Sequence, residues 1–262
     1  MKYRISIIKN VAILLTLLHI SGFSSGQEVS DYLLMAKAFN RTGHPERSVQ
    51  ILAEALNKLQ DHRLYLERAE ANILKADHSG AIADFNAASS LLPLSGEYGL
   101  AKVYAIKGDA ATSTYHLELS MKSDFKRSEK EIMLDPAFGK IESRPEWRQF
   151  WKKDWYSLSE ESLSEIEYYT SAGKIEEASA SLNELRKSYP DSEITKYAES
   201  LVDISAGRFT AAVKTLTGLL STDPGNEKYL RTLAGVQEAL GNSAGASATY
   251  SNLLNTDRKS VG

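Results

Sequence analysis

The side chains that could do chemistry are few and scattered. The chain has five histidines and no cysteine. His19 lies in an apolar N-terminal run. His44, His62, His78 and His116 keep neither the H-x3-H nor the H-E-x-x-H spacing that sets two imidazoles on one helix face around a metal. The G-x-S-x-G spacing occurs at Gly22–Gly26 in the apolar leader and at Gly241–Gly245, where it starts a second helix in the repeat register rather than the strand–turn–helix of a nucleophile elbow, and there is no phosphate-binding glycine loop. The acid pairs Glu160-Glu161 and Glu176-Glu177 fall where helices begin, a place where carboxylates favour the positive end of the helix dipole. They read as helix starts rather than as an acid–base dyad. The expectation is a non-enzymatic protein with no metal and no cofactor. The dense cluster is aromatic: "RPEWRQFWKKDWYS", residues 144 to 157, holds all three tryptophans, Trp147, Trp151 and Trp155. With Phe150 they stand at i, i+3, i+4 and i+8, one stripe of an amphipathic helix. Ser143 and Glu146 give that helix a capping-box spacing. Buried packing is the expected role of the stripe. The alternative is a platform for a glycan or small ligand.

What positions these residues is a repeat. "AGKIEEASASLNELRKSYPDS", "AGRFTAAVKTLTGLLSTDPGN" and "LGNSAGASATYSNLLNTDRKS" align without gaps. Gly173, Gly207 and Gly241 recur every 34 residues, as do Ala178, Ala212 and Ala246. Leu182, Leu216 and Tyr250 follow four residues after each alanine, and Pro190 and Pro224 twelve after the first two. The spacing predicts two antiparallel helices per unit. The glycine ends the first helix, where positive φ disfavours a Cβ. The alanine permits close approach, and the large residue one turn on fills the same face. The proline stops the second helix. "AIADFNAASSLLP" fits the pattern through Ala81, Phe85, Ala88 and Pro93. Looser copies run through Ala36, Phe39, Gly43, Ser48, Leu52 and Ala55, and through Leu100, Ala101, Tyr104, Gly108, Ser113 and Leu117.

On these residues the chain resembles the tetratricopeptide repeat family, of the exported bacterial envelope type. The resemblance implies an all-α fold, a right-handed superhelix of antiparallel helical hairpins. Repeats are expected at 29–61, 62–93, 94–124, 159–192, 193–226 and 227–260. They make a first module over 27–124 and a second over 159–262. The joining segment 125–158 opens with Asp135-Pro136 as cap and first residue of a short helix and then carries the tryptophan stripe as a cap for the array. Ile166 and Ser200 depart from the small-residue position of the first helix, which is expected to change its tilt. The resemblance also implies a concave face lined by first helices, placing Lys37, Asn40, Arg41, Glu70, Tyr98, Lys102, Glu167, Tyr197 and Arg231 in a groove for a peptide or helix. Lys37, Asn40 and Arg41 resemble part of a clamp for a peptide carboxylate. Glu67 and Glu70 do not complete it. Tyr98 and Tyr197 are the favoured anchors.

The ends and the charge bound the partner. Lys2, Arg4 and Lys9, the apolar run Val11 to Ile20 and "SGFSSGQ" form the three-part pattern of a secretory signal peptide over about 1–26, leaving Gln27 first. An apolar run of ten is short against the roughly 20 residues that span a bilayer. No stable membrane insertion is therefore expected after cleavage. Without a cysteine there is no N-terminal lipid attachment, so a periplasmic or secreted protein is expected. Losing the leader takes the net charge from −3 to about −6. That argues against nucleic acid, whose phosphates need a basic surface. The leading function is a protein-interaction scaffold of the bacterial periplasm or cell surface. "DRKSVG" supplies no capping helix after the last repeat, which leaves three readings open: the Ala-, Ser- and Asn-rich last helix is polar enough on its outer face, that end self-associates, or the chain is part of a longer array.

Overall fold

The structure, a computed structural model, describes residues 25–259, and the side chains of residues 28–253. The expected signal peptide falls on residues 1–24 and the two that follow, so almost all of it lies outside the described residues. The fold is all-helical, with no strand among the described residues, and it divides into two compact units between Lys153 and Asp154. No described helix is long and apolar enough to cross a membrane.

Unit 1 has three helical hairpins: α1 (Ser25–Arg41) with α2 (Pro45–Leu56), α3 (His62–Leu74) with α4 (His78–Leu91), and α5 (Glu97–Lys107) with α6 (Ala110–Met121). The helix α7 (Glu129–Leu134), a 3-10 turn (Pro136–Phe138) and the helix α8 (Pro145–Phe150) complete it. Unit 2 has three more hairpins: α9 (Leu158–Ser171) with α10 (Ile175–Ser188), α11 (Glu193–Ser205) with α12 (Phe209–Thr222), and α13 (Glu227–Ala239) with α14 (Ser243–Lys259).

The hairpin turns are alike. At Gly207 the amide donates to the carbonyl of Ile204 and the next amide, Arg208, to that of Asp203. Gly43, Gly108, Gly173 and Gly241 repeat this bonding, which satisfies carbonyls left open at the helix end. All five glycines have φ between +71° and +81°. The second hairpin makes the same bonds with Ala76, a residue with a Cβ, at φ +57°. The second helix then starts on a side-chain cap where the sequence offers one: Asp77 accepts from the amide of Gly80, Asp109 from Thr112 and Asn242 from Gly245.

Packing follows the small residues. Ala81, Ala178 and Ala212 are fully buried, and so are Phe85 and Leu216 beside them. Serine takes the alanine's place at Ser48 and Ser113. Ser113 closes its hydroxyl onto the carbonyl of Ala101 on the facing helix at 2.8 Å, whereas the buried Ser48 hydroxyl has no partner. Ile166 and Ser200 are both buried at the departing positions, and Ser200 bonds back to the carbonyl of Tyr197. Between the second and third hairpins, Gly99 on α5 lets Phe85 of α4 reach across. A Cβ there would lie 2.1 Å from the Phe85 ring.

The segment after α6 caps unit 1 but not as one aromatic helix. Asp135 does cap the next turn, accepting from the amide of Ala137, and that turn is 3-10 rather than α. α8 begins at Pro145, so Arg144 occupies the cap position with no side-chain bond, and the expected Ser143–Glu146 capping box is absent. Proline fits the first helical position because its fixed φ is already helical, which puts Ser143 one residue too early. The helix ends at Phe150. Trp147 (4% exposed) and Phe150 are buried, Trp151 stands half-buried in the closing turn, and Trp155 lies beyond the helix altogether. Phe138 stacks on Trp147 with ring centroids 5.2 Å apart, and Tyr98 meets Phe138 edge-on at 5.9 Å. Ile132 and Ile141 are also buried. Burying each of these large side chains is worth about 2–3 kcal/mol. The segment thereby covers the apolar side that α5 and α6 would otherwise expose.

Candidate functional site

The expected groove residues lie on the first helices, α1, α3 and α5 in unit 1 and α9, α11 and α13 in unit 2.

In unit 1 these side chains pair from helix to helix. Asn40 on α1 donates to Glu67 on α3 at 2.9 Å. Lys102 on α5 holds both carboxylate oxygens of Glu70 on α3, at 2.8 and 2.9 Å. Lys37 and Arg41 stay exposed. Burial raises the Glu67 carboxyl above its ordinary value, and Lys37, Asn40 and Arg41 oppose the rise. Tyr98 donates to Asp135 at 2.9 Å, and the Arg127 guanidinium lies 5.3 Å over its ring. Its phenol pKa is pushed up, first by burial and then by the Asp135 charge. Beneath this face, Arg68 grips the buried Asp84 with two bonds and Asn72 adds a third. That cluster ties α3 to α4 and fixes the helix that carries Glu67 and Glu70.

In unit 2 Glu167 on α9 pairs with Lys228 on α13 at 2.6 Å, across the intervening α11. The same ammonium lies 4.8 Å over the ring of Tyr197 on α11. Tyr197 is only 4% exposed, so it is not the open anchor expected from its position. Its ring packs among Leu216, Leu219, Tyr229 and Leu233, and its hydroxyl bonds Thr232 at 3.1 Å. Burial raises the Tyr197 phenol too. Arg231 is exposed and pairs with Glu227 one turn back on its own helix.

Residues 167–192 match the tetratricopeptide repeat family model. The matched stretch runs from Glu167 through α10 to Ser192, one turn-and-helix of the six hairpins. No curated protein matches the chain by sequence. Among solved structures, the TPR2AB domain of yeast Sti1 in a complex with pHSP90 is similar at 16% identity over 89% of this chain and 92% of that one, TM-score 0.39. A tetratricopeptide repeat protein from Parabacteroides merdae is similar at 11% identity, over 88% and 80%, TM-score 0.36. PilW, described as a widely conserved type IV pilus biogenesis factor, is similar at 16%, over 87% and 92%, TM-score 0.33.

The expected residues fall into two sets, one per unit. Lys37, Asn40, Arg41, Glu70, Tyr98 and Lys102 share the first, Glu167 and Tyr197 the second. Arg231 stands apart with Glu227. Trp147, Trp151 and Trp155 do not form one exposed face, because the first is buried and the third is off the helix. The sequence reading omitted Lys228, Arg127 and Asp135 from the site. Lys228 follows the helix-starting Glu227 and so carries a groove position by register. Arg127 and Asp135 lie outside the repeats, where no period points to them. Among the described residues no group of three His, Cys, Asp or Glu is placed to hold a metal ion.

Proposed function

We propose that this chain is a non-enzymatic protein–protein interaction scaffold of the bacterial periplasm or cell surface, binding a peptide or helix of an envelope partner along its concave face. One observation carries the reading: successive first helices present long charged and aromatic side chains in register, Asn40 to Glu67, Glu70 to Lys102 and Glu167 over Tyr197 to Lys228. Such a line suits an extended chain or a helix laid across successive first helices of a unit. The envelope assignment is supported by the signal-peptide pattern of the first 26 residues. N-terminal sequencing of the protein from fractionated source cells tests it. Gln27 as first residue agrees, and an intact Met1 in the cytosolic fraction refutes it.

The scaffold reading is tested by affinity capture from an envelope extract, with residues 27–262 as bait beside a Glu70→Lys/Glu167→Lys variant. Both side chains are half-exposed, so the variant keeps its core. A partner held by the first bait and lost by the second is expected. Capture of nothing specific by a folded bait refutes the scaffold. We also propose self-association through the last repeat, which the exposure of Tyr250 (39%) on α14 supports. A monomer throughout in sedimentation equilibrium at rising concentration refutes that part.

A further inference from the structure

We infer that the concave face of unit 2 contains a seat for a cationic side chain, a lysine or arginine of the partner, and that Lys228 fills that seat when no partner is bound. The inference rests on the scaffold reading and names the chemistry that the groove selects.

Three first helices contribute one group each. Glu167 supplies a carboxylate, 2.6 Å from the Lys228 ammonium. Tyr197 supplies a ring face, 4.8 Å from the same nitrogen. A carboxylate beside an aromatic face is a receptor for a cation, through a charge-assisted hydrogen bond and the ring quadrupole together. The receptor half is rigid. The Tyr197 ring lies against Tyr229 with centroids 5.2 Å apart, and its hydroxyl is fixed by Thr232. The occupant half is not. Lys228 reaches over on a flexible four-carbon stem, and its side chain is 50% exposed, against 40% for Glu167. Exposed ion pairs of this kind are weak and lose side-chain entropy in forming. A cation arriving from solvent can take the place of Lys228, which then swings out at little cost.

Unit 1 repeats the chemistry with different residues. The groove tyrosine there is Tyr98, the covering cation is Arg127, and the carboxylates are Glu131, 3.5 Å from Arg127, and Asp135 on the phenol. In each unit, then, a tyrosine on the line of first helices is covered by a cation of the chain's own, itself paired to a carboxylate. The surroundings in unit 2 exclude an acidic visitor. Burial and then the charges of Glu193 and Asp223 raise the Tyr229 phenol, and Glu227 stands beside Lys228 at the start of α13. With Lys228 displaced, that face keeps Glu167, Glu193 and Asp223 around two tyrosines, while Glu227 is paired to Arg231. The partner it fits is an extended basic segment.

The probe is a fluorescein-labelled octalysine, read by anisotropy at low salt against the full chain and three variants. Lys228→Ala empties the seat. Lys214→Ala, an exposed residue on α12, removes the same charge elsewhere. Glu167→Gln/Lys228→Ala empties the seat and removes its carboxylate. Lys228→Ala is expected to bind about three- to fivefold more tightly than both wild type and Lys214→Ala, the fold-change that an exposed ion pair's strength implies. The double variant is expected to lose that gain. Equal affinity of Lys228→Ala and Lys214→Ala, or a gain that survives Glu167→Gln, overturns the seat. So does an absence of binding in all four proteins, or tighter binding of octaglutamate than of octalysine. Circular dichroism confirms that each variant is folded. If affinity capture finds a groove-dependent partner while these peptide measurements fail, the scaffold stands and the cation seat falls.

Discussion

Ala76 is the sharpest local conflict between sequence and backbone. It holds φ +57° at a turn where five other hairpins place glycine, and it makes the same two turn bonds, its amide to Ile73 and the Asp77 amide to Asn72. An L-residue in the left-handed region costs roughly 1–2 kcal/mol. Ala76→Gly removes that cost and adds back about 0.4–1 kcal/mol for the looser unfolded chain. The net expectation is a gain of about 0.5–1 kcal/mol. The reverse change is Gly207→Ala, where an added Cβ meets open space, so no clash confuses the reading. It is expected to lose about the same 0.5–1 kcal/mol. Urea unfolding separates the two. Ala76 is in unit 1 with the buried Trp147, so Ala76→Gly moves the tryptophan-fluorescence transition upward, by about 0.5 M at a slope near 1.5–2 kcal/mol/M. Gly207 is in unit 2, and its loss appears in the helix signal at 222 nm. An Ala76→Gly protein no more stable than wild type refutes the reasoning, as does a neutral Gly207→Ala.

Three more expectations rest on single contacts. Ser48→Ala removes a buried hydroxyl without a partner and raises stability by about 1 kcal/mol, while Ser113→Ala breaks the bond to Ala101 and lowers it by a similar amount; urea midpoints moving in the same direction refute the distinction. Gly99→Ala drives a Cβ into the Phe85 ring and costs about 1–3 kcal/mol, and a melting temperature equal to wild type refutes this close approach. Tyr98→Phe loses the bond to Asp135, about 1–2 kcal/mol at neutral pH. The Tyr98 phenol is raised in the folded state, by burial first, so its contribution is full below the ordinary tyrosine value near 10 and fades as pH rises through the folded value. Stability measured between pH 9 and pH 12 is expected to fall less steeply in Tyr98→Phe, and an unchanged slope refutes that assignment.

The hairpins are legible in the sequence because their signals are local. A glycine at positive φ, an alanine at a crossing and an apolar residue one turn on each act within a few residues, so a 34-residue period in them is a period in structure. The capping segment is less legible because two local signals compete there. The tryptophan spacing favours a helix through Trp155. Ser157 with Glu160 forms a full capping box, which starts α9 at Leu158 and requires extended backbone before it. The chain leaves the helix after Phe150, and the aromatic period runs on without a helix under it. The groove is the least legible. Its register was readable from the repeat, but Lys228 with Glu167 and Arg127 with Tyr98 meet only once the hairpins have stacked, and no spacing along the chain encodes either pair.

That difference has a physical source that bears on function. The residues that stack the hairpins are short or rigid, and their contacts admit one arrangement. The charged side chains expected to face the partner are long and partly solvated, and three of the cations are paired: Lys102 with Glu70, Lys228 with Glu167, Arg127 with Glu131. A groove of paired charges presents little net field to a passing solute. A partner gains only the difference between its own contacts and the pairs it displaces, so a ligand offering one charge gains almost nothing. A segment offering several cations in register gains at each displaced pair while losing its translational freedom once. On the proposed scaffold reading, the self-paired first helices of each unit therefore discriminate by length and register.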